Sequence, residues 1–281
     1  MELLQSKSLP PIPKLKLAVV GHVEWVSFLS VDKCPREGTI SHGKIYLEEP
    51  AGGGAVSAVK LAKLIGEPVD FFTALGNDLT GKKCFKKLSQ LGLNLNVAWK
   101  DEPTRKAISM INRKGERAIT VIGDRLQPSK KDKLPWQKMN KYDGVFLTAV
   151  GSDALSDCRE ANVLVATPRL GLGALEEKNI KLDAIIGSSL DPDENMEGLS
   201  IKPAPRILIT TKGSLGGESW PGGPFKAFKL NSPLVDTYGC GDNFAAGVTA
   251  GLAAGWSIQQ AISLGSQCGA ECATHLGPYD H

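Results

Sequence analysis

Residues 236–242 read Asp-Thr-Tyr-Gly-Cys-Gly-Asp, and small residues predominate from there to residue 255. Gly239, Cys240 and Gly241 are small enough for the backbone N–H groups of a turn to converge on one point. The following run predicts a helix, so the turn lies at a helix N-terminus, where the dipole favours an anion. Asp242 adds a carboxylate that could take a proton from a hydroxyl attacking a phosphoryl group. The stretch therefore predicts phosphoryl transfer, with Asp242 as general base beside an anion hole.

A simpler interpretation is a tight loop in which Asp242 only caps a helix. A lone Asp-x-x-Gly pattern would favour that interpretation, whereas the full stretch favours catalysis. With Ala246-Gly247 it resembles the C-terminal signature of the ribokinase/PfkB family of carbohydrate and nucleoside kinases. The family usually has Ala, Gly or Ser where this chain has Cys240. The resemblance implies ATP-dependent phosphorylation of a sugar or nucleoside hydroxyl, Mg²⁺ with the ATP, and a monovalent cation such as K⁺ near Asp236.

A glycine run nearer the N-terminus matches the same family in part. Gly52, Gly53 and Gly54 precede a predicted helix that Gly66 ends. Three glycines could form a flexible joint, or they could let a ligand approach the backbone closely. The family has Asn in this helix where this chain has Ser57. The resemblance implies that the glycine run and Ser57 bind the substrate.

The end of the first predicted strand bears on specificity. The apolar residues 17–20 and Gly21 predict a buried central strand, which we extend to Val26. Sugar kinases of the family usually have Gly-x-x-Asn-x-Asp here, and the matching positions are Gly21, Glu24 and Val26. We therefore expect Glu24 to take over hydroxyl recognition and ribose to be a poor substrate. The alternative is that Glu24 pairs with a lysine in a degenerate pocket.

The nucleotide side of the site is implied by the resemblance alone. Ser188-Ser189-Leu190-Asp191 stands where the family has Asn-x-x-Glu, which organises magnesium and phosphates through water. Asp191 keeps a carboxylate and Ser188 a hydroxyl, although a helix-capping serine is the alternative for Ser188. The family's glycine-rich turn and C-terminal helix imply further ATP contacts at Thr211, Lys212, Gly213, Gly216 and Ser266.

Strands that alternate with helices predict an α/β fold with a mostly parallel central sheet flanked by helices. Two segments, at about 35–50 and 104–123, instead predict hairpins, within which residues 39–48 form one hairpin. In the resemblance these segments form a small β-sheet lid over the substrate, inserted into a single ribokinase-like domain of residues 1–281. Family lids often pair between subunits, and these segments carry apolar side chains that need covering. We therefore expect a homodimer.

Composition excludes several classes of protein. The chain has 281 residues, 42% hydrophobic and 22% charged, as is typical of one large globular α/β domain. A net charge of +3 gives no case for nucleic acid, and no apolar stretch is long enough to span a membrane. The N-terminus, with Pro10, Pro11 and Pro13, lacks the apolar core of a signal peptide and predicts a loose leader. Six scattered cysteines favour buried thiols in a reducing cytoplasm.

Two other functions stay open at this stage. A nucleoside kinase would use the same machinery with a different acceptor. A non-catalytic relative that binds a sugar or a nucleotide would be consistent with Ser57 and Ser188 in place of the family's amides. The intact Gly-x-Gly-Asp ending at Asp242 argues against such a binder. A Rossmann dehydrogenase is disfavoured because no Gly-x-Gly-x-x-Gly follows the first strand.

Overall fold

Two β-sheets of unequal size organise the chain in the computed structural model, which describes residues 9–197 and 201–280. The strands are β1 (Leu17–Val20), β2 (Glu24–Val31), β3 (Gly43–Ala51), β4 (Val69–Gly76), β5 (Leu93–Lys100), β6 (Lys106–Ile111), β7 (Arg117–Ile122), β8 (Gly144–Leu147), β9 (Val163–Ala166), β10 (Ala184–Ser188), β11 (Ile207–Thr211), β12 (Gly217–Trp220) and β13 (Gly223–Phe225). The α-helices are α1 (Gly53–Ile65), α2 (Leu79–Gln90), α3 (Leu155–Cys158), α4 (Leu172–Glu177), α5 (Cys240–Ala253) and α6 (Ile258–Cys272). The predicted leader falls partly on residues 1–8, which lie outside the described residues.

The larger sheet has the strand order β13-β12-β11-β10-β9-β8-β1-β4-β5. Its strands pair in parallel from β5 to β11, and only β12 and β13 run antiparallel to their neighbours. The predicted mostly parallel sheet is thus confirmed. β1 is buried along its whole length, as its unbroken apolar sequence predicts. Because the parallel strands share one direction, the loops after their carboxyl ends meet at one edge, where ligands of such sheets bind.

The smaller sheet, here called the lid, has the order β3-β2-β6-β7. The predicted continuation of the first strand to Val26 is wrong. The central strand ends at Val20, and β2 begins at Glu24 as a lid strand, antiparallel to β3 and parallel to β6. The predicted hairpin at 39–48 is also wrong, because β3 starts at Gly43 and pairs with β2. The hairpin of β6 and β7 forms as predicted.

The helices follow local signals closely. α1 starts directly after Gly52 and ends at Gly66, which adopts the left-handed conformation. α2 begins at Leu79, because the Asp78 side chain accepts a hydrogen bond of 2.6 Å from the Gly81 N–H and caps the helix. α6 begins with a capping box, formed by Ser257 and Gln260. The sequence analysis did not predict strand β5 (Leu93–Lys100).

Two apolar clusters fill the two faces of the large sheet. On one face α1, α5 and α6 pack against the sheet around Val19, Phe71 and Phe146. The other face is covered by short helical segments, including α3 and α4, around Phe72 and Leu147. α1 and α5 are therefore held against the sheet by this packing, which fixes the positions of their N-termini.

Candidate active site

The N-termini of α1 and α5 meet at the edge of the large sheet and bring the two sequence signatures together. Gly239 caps α5 in the left-handed conformation, and Asp242 lies in the first turn of that helix. Gly53, the first residue of α1, is so near that a Cβ there would lie 2.9 Å from Asp242 Oδ1. The Ser57 hydroxyl donates a hydrogen bond of 3.2 Å to the Asp242 backbone carbonyl. Glycine at position 53 thus leaves room in front of the carboxylate.

The turn before α5 is held rigidly. The backbone N–H and the side-chain amide of Asn243 both donate to the Gly239 carbonyl, at 2.8 and 2.9 Å. The first amides of a helix have no intrahelical acceptor, so those of Cys240 and Gly241 are suited to an anion at the helix N-terminus. Gly239, Cys240 and Gly241 thus form the start of α5, and their role as an anion hole stays a prediction.

Asp236, at the start of this turn, stabilises the turn through hydrogen bonds to two backbone amides. Its fully buried carboxylate accepts hydrogen bonds of 2.9 Å from the Tyr238 and Gly277 backbone amides. Asp236 thus ties the turn to the C-terminal segment, and both of its oxygens already serve as acceptors. Within residues 9–197 and 201–280, no group of three acidic, His or Cys side chains is arranged to hold a metal ion.

The electrostatic surroundings of Asp242 suit a general base. Desolvation in the cleft raises the pKa of its carboxyl to about 7. The negative charges of Glu194 and Glu24 push the pKa up, while Arg169 and Arg117 oppose them. A base works best when its pKa lies near the operating pH. The carboxyl of Asp242 thus holds its proton more strongly than an exposed aspartic acid does, and its role as a general base stays a prediction.

Glu24 is buried on the lid side of the same cleft. Its Oε1 accepts a hydrogen bond of 3.2 Å from the Tyr238 hydroxyl, which in turn accepts one of 3.2 Å from the Gly52 N–H. Its Oε2 lies 3.4 Å from Nε of Arg105. Burial raises the Glu24 pKa, against the opposing effect of Arg105. The cationic partner is therefore an arginine, and the lysine pairing considered above is absent among the described residues.

Most of the residues that are predicted to bind the nucleotide lie at the carboxyl ends of β10 and β11. Ser188 and Thr211 are paired in the sheet register, and the Lys212 N–H bonds the Gly216 carbonyl at 2.7 Å around the turn at Gly213. The Ser188 hydroxyl accepts a hydrogen bond of 3.2 Å from the Leu190 N–H in a turn, and no helix follows Ser188 among the described residues before β11, so it does not cap a helix there. Ser266 is half-buried on α6.

Asp191 lies in an ion-pair network centred on Arg169. The guanidinium of Arg169 contacts the Asp191 carboxylate, and its Nε lies 2.7 Å from Glu194 Oε1. Asp193 reaches the same arginine at 3.5 Å. Glu194 is the acid of this network whose charge affects the Asp242 pKa most. Sequence reasoning selected Asp191 and missed Glu194, which follows it by three positions outside any family motif.

Comparison with known proteins identifies the family. The model of the pfkB family carbohydrate kinases matches residues 14–168 and 207–281. The chain belongs to the pfkB family of carbohydrate kinases. It is 25% identical to the ATP-dependent ribose-1-phosphate kinase of Halopiger xanaduensis over 94% of this chain and 93% of that protein. It is 24% identical to the nucleoside kinase of Thermoplasma acidophilum over 89% and 86%.

A solved structure supports the fold of this pfkB-type kinase. Ribokinase from Thermotoga maritima superposes with a TM-score of 0.71 at 21% identity, covering 94% of each chain. At that identity the likeness establishes the ribokinase-like fold. No helix among residues 9–197 and 201–280 has the length and apolar character to cross a bilayer.

Sequence reasoning missed the cationic side of this kinase site. Arg105, Arg125 and Arg169 come from three separate loops, and each of their charges lowers the pKa of buried His22, which falls to about 3 mainly through desolvation. No local pattern joins the three positions, so only the fold reveals their proximity.

Proposed function

We propose that this protein catalyses ATP-dependent phosphorylation of a hydroxyl on a sugar or related small molecule, with Asp242 as the general base. The observation that carries the proposal is the placement of Asp242 in the first turn of α5, facing Gly53, with a pKa near 7. Family membership supplies the reaction class. A non-catalytic binder has no need for a carboxylate of this proton affinity beside an anion hole.

The proposed reaction asks for little covalent chemistry from the protein. The acceptor oxygen attacks the γ-phosphorus of ATP, the bond to the ADP oxygen breaks, and Asp242 takes the hydroxyl proton. The amides at Gly239, Cys240 and Gly241 stabilise the charge on the transferred group. Positioning and charge stabilisation of this kind account for most of the catalysis in phosphoryl transfer.

ATP and its metal would bind toward β10 and β11. The relative named an ATP-dependent kinase supports ATP as the donor. We assign Ser188, Thr211, Lys212, Gly213, Gly216 and Ser266 to the nucleotide. Mg²⁺ is a hard cation that takes one or two carboxylates besides phosphate oxygens, and Asp191 and Glu194 provide carboxylates of that kind. Mg²⁺ would neutralise phosphate charge there. A monovalent cation near Asp236 is part of the same proposal.

The acceptor would lie between the lid and the N-terminus of α1. We assign Glu24, Gly52, Gly53, Gly54 and Ser57 to this subsite, and ribose is expected to be a poor substrate because Glu24 and Val26 replace the family's Asn and Asp. A nucleoside acceptor is the second candidate, favoured by the similarity to a nucleoside kinase. The six cysteines are free thiols, which supports a reducing, cytoplasmic location.

The proposal is tested by measuring ADP release from ATP with a panel of sugars, sugar phosphates and nucleosides, followed by mass spectrometry of the products. Transfer to one acceptor class supports the kinase and selects between sugar and nucleoside. Binding of a panel member without any ADP release, in the presence of Mg²⁺ and K⁺, would instead establish the non-catalytic alternative.

A further inference from the structure

Three guanidinium groups gather on the lid side of the catalytic cleft. Arg105 immediately precedes β6, Arg125 follows β7, and Arg169 lies in the turn after β9. A guanidinium nitrogen of Arg125 donates a hydrogen bond of 3.1 Å to the backbone carbonyl of Arg169. Arg105 lies beside Glu24, with Nε 3.4 Å from Oε2. Arg105 and Arg125, at the two ends of the β6–β7 hairpin of the lid, thus lie near Arg169.

The positive charge of this group is only partly compensated. Arg169 has Asp191 and Glu194 as partners, and Arg105 has Glu24. Arg125 has no carboxylate within ion-pair distance among the described residues, and it is half-buried. Burial and repulsion by the other two arginines lower its pKa. A desolvated, unpaired guanidinium next to two others is unfavourable by itself, and a bound anion would stabilise it.

Unpartnered polar atoms lie in the same region. Nδ1 of His22 and the hydroxyls of Thr148 and Thr167 are buried without a hydrogen-bond partner among the described residues. Thr148 and Thr167 directly follow β8 and β9, and His22 follows the adjacent strand β1, so all three lie at the edge that carries the site. Buried polar groups normally have partners, and unpartnered ones at a cleft indicate a polar ligand.

These groups border the proposed acceptor subsite. A Cβ on Gly52 would lie 3.0 Å from the His22 ring and 3.3 Å from Glu24 Cγ. A Cβ on Gly53 would lie 3.5 Å from Thr148 Cγ2 and 2.9 Å from Asp242 Oδ1. Arg105 contacts Glu24 on this side, whereas the predicted nucleotide residues lie at β10 and β11. An anion held by Arg105 and Arg125 would therefore belong to the acceptor.

We infer that the acceptor is a sugar phosphate: Arg105 and Arg125 bind a phosphate monoester on the sugar while one of its free hydroxyls faces Asp242. Arginine suits this task because its planar guanidinium can make two parallel hydrogen bonds to phosphate oxygens. The inference rests on the proposed function for the transfer step, in which the acceptor's own phosphate is unchanged. The product would be a sugar bisphosphate, and the proton would pass to Asp242.

Binding without ATP tests the anion site separately from catalysis. Thermal shift and calorimetry would compare ribose 1-phosphate, ribose 5-phosphate, fructose 1-phosphate and fructose 6-phosphate with free ribose, free fructose and inorganic phosphate. We expect at least one sugar phosphate to bind more tightly than its free sugar, and Arg125→Gln to weaken it about 10- to 100-fold, as loss of a charged hydrogen bond does. Arg206→Gln is the matched control, since Arg206 pairs with Asp183 before β10 and β11, at the opposite edge of the sheet.

Kinetics then identify which substrate the arginines contact. We expect Arg125→Gln to raise the KM for the phosphorylated acceptor and to leave the KM for ATP within about twofold. A raised KM for ATP alone would assign the arginines to the donor and overturn the inference. Circular dichroism checks the fold, and Arg105→Gln provides a second variant should Arg125→Gln fail to fold.

The two proposals fail in distinguishable ways. Efficient transfer to a free sugar, with no preference for its phosphate ester, would overturn the inference and leave the kinase function intact. Binding of a sugar phosphate that depends on Arg125, without transfer from ATP, would support the anion site and overturn the kinase function. Absence of any sugar-phosphate binding to the wild type would overturn the inference whatever the enzyme does with free sugars.

Discussion

At the scale of single residues, Asp242 combines catalytic fitness with a cost in stability. Its carboxyl lies in the cleft where α1 and α5 meet. Burial there raises its pKa to about 7. A carboxylate that resists ionisation is a stronger base when it does ionise. Nearby charges adjust the proton affinity of this carboxyl. Glu194 and Glu24 raise its pKa, whereas Arg169 and Arg117 lower it.

Asp242→Asn should abolish most of the activity. Loss of a general base typically lowers kcat by ~10²- to 10⁴-fold, while the near-isosteric amide keeps the packing. In the wild type, kcat/KM should rise with pH and level off above an apparent pKa near 7. Asp101→Asn, the same change at an exposed residue, is the control. A variant at position 242 with near wild-type turnover would refute the assignment.

Asp242→Asn should also stabilise the fold at alkaline pH. The folded-state pKa of Asp242 lies above the unfolded value, so between about pH 4 and 7 the folded protein keeps a proton that the unfolded chain has lost. Stability contributed by this group therefore falls as pH rises through that window, by about 1.4 kcal/mol per pKa unit. The Tm of the variant should exceed that of the wild type at pH 8 and converge with it near pH 4. An equal Tm at both pH values would contradict the raised pKa.

Glu24→Ala should change acceptor recognition. The wild-type carboxylate orients Tyr238 and Arg105, and through Tyr238 it reaches the Gly52 amide. Removing it leaves buried groups unpaired, at about 1–3 kcal/mol each. We expect a KM for the best acceptor raised roughly 10-fold, and kcat/KM for ribose far below that of this acceptor in the wild type. Efficient use of ribose, or an unaltered KM in the variant, would contradict the prediction.

At the scale of elements, the loop after β10 carries the acids that surround Arg169. Asp191, Asp193 and Glu194 all reach this arginine, yet they differ in exposure. Glu194 is the most buried of the three, and its pKa is raised chiefly by desolvation. The loop thus presents a graded set of carboxylates next to the ends of β10 and β11.

Asp191→Ala should raise the Mg²⁺ concentration that gives half-maximal rate. Glu194→Gln should raise that Mg²⁺ concentration further, because the charge of Glu194 acts on Asp242 and that of Asp191 is not among the charges that shift its pKa most. Asp193→Ala is the matched control, since that side chain is 79% exposed and touches the same arginine only at 3.5 Å. Initial rates over a Mg²⁺ titration would measure the effect. An unchanged Mg²⁺ dependence in Asp191→Ala would leave this residue a purely structural role.

At the scale of the whole molecule, the lid presents apolar side chains to solvent. Ile40 is 89% exposed, Tyr46 62%, Ile45 56% and Ile122 51%. Leu47 on β3 instead packs against the lid interior. Ile45 and Tyr46 lie on β3 and Ile122 lies on β7, the two edge strands of the lid, and large exposed apolar surface commonly marks an interface between proteins. A lid that pairs with a second copy would cover it.

We predict a homodimer at micromolar concentration, measured by sedimentation velocity. The double variant Ile45→Lys, Ile122→Lys should shift the protein to monomer, because charges inside an apolar interface are left desolvated and unpaired. Trp220→Ser, a change at an exposed aromatic residue on β12 of the large sheet, is the control and should leave the dimer intact. A wild-type protein that sediments only as a monomer would contradict the prediction.

The sequence by itself determined several of the elements and the turn before α5. Helix limits at Gly53 and Gly66, the apolar strand at 17–20 and the turn before α5 depend on neighbours within a few residues, and the backbone preferences of glycine and apolar periodicity report such neighbours directly. The family signatures at both ends lie next to each other in space, where the N-termini of α1 and α5 meet.

Only the tertiary structure decided the rest. Strand β2 joins the lid because its partners β3 and β6 lie far along the chain, and local sequence carries no record of which strands will pair. The same holds for Arg105, Arg125 and Arg169, whose loops converge only after both sheets have formed. The pKa of Asp242 depends on how deeply packing buries it and on which charges packing brings near. Burial and long-range proximity are properties of the folded chain, so the chemistry of this site follows from the fold.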